Sequence, residues 1–86
     1  MATDKDLRIA DLILDLTQKR GAGKTICPSD VARRMQPDWR VLMPDVRRVA
    51  ADLSDQGHIV ATQRGAAVDI RTVRGPIRLG VSQQTA

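Results

Sequence analysis

Four features of this 86-residue chain could carry chemistry: one cysteine, one histidine, a glycine-lysine-threonine run and a set of arginines. Cys27 is the sole cysteine, which excludes a disulfide or a cysteine-based metal site within one chain. Set beside Pro28, it reads as a buried or capping residue. His58 is the sole histidine. As a general base it would need a thiolate or carboxylate within hydrogen-bond reach, and the local spacing offers none. Residues 20–25, RGAGKT, have the flavour of a phosphate loop. A true P-loop needs Gly, four residues, then Gly-Lys-Ser/Thr, after a buried strand and before a helix. Gly21 and Gly23 are too close for that, and what precedes them is helical. The expectation is a binding protein with no catalytic residues, no metal and no cofactor.

The arginines carry more information. The net charge is +4, and its distribution is uneven. Residues 1–30 hold five Lys or Arg against five Asp, whereas residues 31–86 hold nine Arg against five Asp. The guanidinium fork suits phosphate and guanine better than an ammonium does. A coding bias toward Arg, Ala and Asp is the bland account of the same excess, since the chain has no Glu. Trp39 is the only aromatic residue, which argues against stacking platforms for single strands. The nucleic-acid candidates are Arg40, Arg47, Arg48, Arg64, Arg71, Arg74 and Arg78. Arg47 and Arg48 fall on the helix face that would enter a groove, and the later four are placed to contact phosphates. Asp45, Asp52 and Asp55 crowd the same helix and would repel a backbone. The arginine excess of the later part nonetheless makes double-stranded DNA the expected partner, with a transcription-related role. The alternative is a protein partner or homodimer that uses the same scaffold.

The elements that must position these residues are legible. Residues 4–19 alternate apolar and charged positions at helical spacing, with Leu7, Ile9, Ala10, Leu12, Ile13, Leu14 and Leu16 on the apolar side. Thr3 or Asp4 can cap this helix and Gly21 can end it. Pro28, Ser29 and Asp30 open a second helix whose stripe is Val31, Ala32 and Met35. Gln36, Pro37 and Asp38 break it. Trp39 reads as an anchor between helices, and Pro44 suits the first turn of a third helix that continues through Val46, Val49, Ala50 and Leu53 to Gly57. Residues 39–43 are left as a turn, a separate short helical piece, or the start of one kinked helix. Residues 58–64 and 77–81 read as strands, with a loop at 65–67. The expected fold is α+β: a winged helix-turn-helix of three helices followed by a two-stranded β wing, with a very short extra strand at Thr25 and Ile26. Residues 1–81 form one such domain and 82–86 a loose tail. No apolar run approaches the roughly 20 residues of a membrane span, and a cytoplasmic setting is expected.

Four blocks closely resemble one family: GKTICPSDVAR (23–33), DWRVLMPDVRRVAADLSDQGHIVATQRG (38–65), VDI (68–70) and RGPIRL (74–79). That family is the group of small bacterial proteins called Domain of Unknown Function 3253. The resemblance implies a winged-helix fold and a bacterial cytoplasmic setting. It implies no activity, ligand or catalytic residue.

Overall fold

Thr3 starts the first helix. Its Oγ1 accepts a hydrogen bond from the Asp6 backbone N–H at 3.1 Å, satisfying a donor that a helix start leaves free. The computed structural model describes residues 3–82. Over these the order is α1 (Asp4–Arg20), β1 (Thr25–Ile26), α2 (Pro28–Met35), a 3₁₀ turn (Trp39–Leu42), α3 (Met43–Asp55), β2 (Ile59–Gln63), β3 (Ala66–Ala67) and β4 (Arg78–Val81). The protein is thus α+β, with three helices and a four-stranded antiparallel sheet of order β1-β4-β2-β3. Residues 83–86 of the expected tail lie outside the described residues; Ser82 donates its backbone N–H to the His58 carbonyl at 3.3 Å.

The strand count corrects the expectation of a two-stranded wing. Residues 65–67, expected as loop, hold β3, whose alanines pair with Thr62 and Gln63. The hairpin turns on Arg64 (φ 54°) and Gly65 (φ 83°), two successive left-handed residues. That geometry matches the twist of a two-residue hairpin, but arginine rarely occupies its first position. Thr25 and Ile26 do form a strand, paired with Gly80 and Leu79.

Alternation along β4 sorts its side chains. Leu79 is fully buried and Arg78 is exposed, as a period of two requires. Leu79 meets Ile26 on one side and Ala61 on the other. The helices close over this face with Ile9, Ile13, Val31, Val46 and Ala50, all fully buried. Residues 39–42 settle as a separate 3₁₀ turn, and Pro44 sits in the first turn of α3, where its missing N–H costs nothing.

The inward face of α1 differs from the expected stripe. Asp6 is buried and Leu7 is 54% exposed. An ion pair explains the exchange: Arg48 of α3 grips both Asp6 carboxylate oxygens, at 2.8 and 2.9 Å, and Asp45 at 3.0 Å. Lys5 reaches the same Asp45 at 2.8 Å. The Arg48 hydrogen bonds pull the Asp6 pKa down from 3.8 to about 2, against an opposing push from burial. Asp45 is lowered too, first by Lys5 and then by Arg48. A carboxyl whose folded pKa is depressed adds stability that is fully present above its unfolded value and is lost as pH falls through the folded one. Urea midpoints should therefore fall between about pH 4 and pH 2 in the native protein. In Asp6→Asn the protein should start less stable at neutral pH, and this fall should be shallower.

Candidate functional site

Most of the candidate arginines are engaged within the fold. Arg48 is held by Asp6 and Asp45. Arg47 donates to the carbonyls of Val73 (3.3 Å) and Gly75 (3.4 Å), so it ties α3 to the β3–β4 connection rather than projecting from the helix. Arg71 bridges Asp52 at 2.8 Å and Asp55 at 2.7 Å and fastens the same connection further along α3. Ile70, next to Arg71 in the same connection, is buried. The exposed residues of α3 are Pro44, Arg48, Asp52 and Asp55, and every charge among them has a partner. This face has little left to offer a nucleic acid.

Arg40 stacks on Trp39, with its guanidinium carbon 4.5 Å from the ring centroid, and Arg33 does so at the same distance. Trp39 is half-buried against the core, so it is an anchor with a cationic cover. Both arginines are exposed, and contacts of this kind at exposed sites are worth about 0.5–1 kcal/mol.

Arg64 and Arg74 have no hydrogen-bond or carboxylate partner for their side chains among the described residues. They line a cleft of about 630 Å³ together with Gln63, Gly75, Pro76 and Arg78. The Gln63 amide nitrogen donates to the carbonyls of Arg74 (2.7 Å) and Pro76 (3.1 Å), which flank Gly75. At φ 91° Gly75 takes a backbone conformation that side-chain-bearing residues avoid. The grip of Gln63 on this bend fixes the direction in which Arg74 leaves the chain. At the hairpin tip, Arg64 leaves from its own left-handed position.

A second cleft, also of about 630 Å³, opens between the end of α1, β1 and the outer face of α2. Its basic residues are Lys19, Arg20, Arg33, Arg34 and Arg78, and Asp30 is its one carboxylate. Asp30 is occupied in capping: its Oδ2 accepts the Cys27 N–H at 3.1 Å at the start of α2. Arg34 has no side-chain partner among the described residues. Lys19 pairs with Asp15 at 3.0 Å on the surface, a contact worth about 0.3–0.5 kcal/mol. Arg78 lines both clefts, so the two join into a strip from the end of α1 to the β2–β3 turn. Lys19, Arg20, Arg33 and Arg34 were not foreseen as site residues. The available signals were the Arg33-Arg34 pair on an otherwise short apolar helix and the Lys19-Arg20 pair at a helix end.

Cys27 is half-buried at the start of α2, and its Sγ accepts the Ser29 hydroxyl at 3.0 Å. His58 is exposed. Among the described residues no group of three or more His, Cys, Asp or Glu is placed to hold a metal ion. No described helix is long and apolar enough to cross a membrane.

Fold and surface together define a small α+β protein whose unpaired positive charge gathers beside the sheet rather than on its third helix. It belongs to the family described as Protein of unknown function (DUF3253), whose family model matches residues 6–82. No curated protein matches the chain.

Proposed function

We propose that the protein is a winged-helix module that binds double-stranded DNA, with a transcription-related role, and that it binds through the phosphate backbone. The strand order supports the winged-helix reading: β4 lies between β1 and β2, and the long β2–β4 connection takes the place of the wing. One observation carries the functional reading: Arg78 joins two clefts whose lining holds seven cations, Lys19, Arg20, Arg33, Arg34, Arg64, Arg74 and Arg78, against the single carboxylate of Asp30. Phosphate contacts of this kind place a protein on nucleic acid without reading its sequence. The internal engagement of Arg47 and Arg48 removes the base-reading role first expected of them, so binding is weakly sequence-dependent. The test is fluorescence anisotropy of labelled random duplex at two salt concentrations, with single-stranded DNA and RNA in parallel. Duplex affinity that falls steeply with salt is the expected result. Absence of binding at low salt would end this reading.

The second reading is a protein-interaction module, including a homodimer. Leu7 favours it: it lies 54% exposed beside an α1–α3 groove of about 350 Å³ that Ala10, Val49 and Leu53 also line. Sedimentation at micromolar concentration discriminates the two, because a strictly monomeric protein leaves the groove without a second copy.

A further inference from the structure

Arg20 and Arg78 converge on one residue. The Arg20 Nε donates to the Thr25 carbonyl at 3.3 Å, and the Arg78 Nη2 donates to the same oxygen at 3.1 Å. The Arg78 Nε also donates to Thr25 Oγ1 at 3.0 Å. Neither guanidinium has a carboxylate partner among the described residues, whereas Arg48 and Arg71 have two each. Both Nη atoms of Arg20 and the Nη1 of Arg78 have no acceptor among the described residues. Two like charges drawn to one carbonyl repel each other, and the carbonyl dipole offsets only part of that cost. An anion bridging the two forks would supply the missing counter-charge. Phosphate suits them, since its oxygens accept paired N–H donors from a planar guanidinium.

The geometry points to a discrete phosphate-binding subsite in which Arg20 and Arg78, both held on Thr25, clamp one phosphoryl group, with Arg34 at the rim of the same cleft. β1 is the device that builds it. Pairing of Thr25 with Gly80 brings the end of α1 beside β4, and no Cβ fits easily at Gly80, where one would stand 3.1 Å from the Lys24 carbonyl oxygen. The phosphoryl group can come from a nucleic-acid backbone or from a phosphorylated small molecule. The subsite rests on the nucleic-acid reading only for the first of these sources.

The experiment is a titration of ¹⁵N-labelled protein with inorganic phosphate, against sodium chloride at matched ionic strength. The Thr25 amide and the Nε–H signals of Arg20 and Arg78 are followed by NMR. Saturable shifts at all three are expected, with a Kd on the order of millimolar. Arg20→Gln and Arg78→Gln should each weaken binding about tenfold, the loss of one charge-assisted contact, while Arg71→Ala, whose guanidinium is spent on Asp52 and Asp55, leaves it unchanged. Shifts that grow linearly or match those with chloride would overturn the subsite. So would saturable binding indifferent to both Gln variants. A parallel competition with duplex DNA separates the sources: displacement of duplex by phosphate assigns the backbone. Saturable phosphate binding by a protein that ignores duplex leaves the subsite standing for a small phosphorylated molecule and removes the nucleic-acid reading.

Discussion

Leu79→Ala is expected to destabilise the protein by about 2–5 kcal/mol, the range for truncating a fully buried leucine. Domains have only about 5–15 kcal/mol in total, and small ones sit low in that range. A large part of the population should therefore unfold at physiological temperature. The reason is positional. Leu79 is fully buried, faces Ile26 and Ala61 across the sheet, and stands on the strand against which α1 packs. Its truncation also loosens the register that turns Arg78 outward, so fold and surface fail together. Leu7→Ala supplies the contrast. Leu7 is 54% exposed, and its truncation should shift stability by no more than about 0.5 kcal/mol. Urea unfolding followed by Trp39 fluorescence measures both. Equal shifts in the two variants would contradict the packing described for α1 and β4.

The pair also marks how far the chain could be read in advance. Helix starts and stops were legible, because Thr3, Pro28, Pro44 and Gly57 act through their own backbone neighbourhoods. Periodicity placed Ile9, Ile13, Val46 and Leu53 inward correctly. It failed at Asp6 and Leu7, since burial of Asp6 depends on Arg48, 42 positions away, and no local pattern announces such a pair. β3 was hidden for a different reason. Ala66 and Ala67 have low strand propensity, and the turn before them uses Arg64 where asparagine or glycine is usual.

The site divides along the same line. Arg64, Arg74 and Arg78 were legible as an exposed basic group because they share one stretch of chain. Arg47 and Arg71 were legible as charges but not as fasteners, since their partners lie across the fold. Arg20, Arg33 and Arg34 joined the surface only when β1 paired with β4. The charge count over residues 31–86 included Arg33 and Arg34 without marking them as surface candidates, and it left Lys19 and Arg20 out altogether.

Combined replacement of Arg34, Arg74 and Arg78 by alanine is expected to have the largest effect on duplex binding. Each phosphate contact contributes about 0.9 to the slope of log K against log salt, so losing three should reduce its magnitude by about 2 to 3. At low salt, affinity should fall by more than about tenfold, uniformly across sequences, as expected for contacts that carry no base information. Arg71→Ala is the discriminating control. It removes one positive charge and so lowers the net charge as any single replacement does, but its guanidinium is spent on Asp52 and Asp55. Its salt slope should stay at the native value, and its stability should drop by no more than about 1 kcal/mol, because both ion pairs are exposed. If Arg71→Ala reduced the slope as much as Arg74→Ala did, net charge rather than the strip would govern binding. A triple variant with a native slope would place the phosphate contacts elsewhere on the molecule.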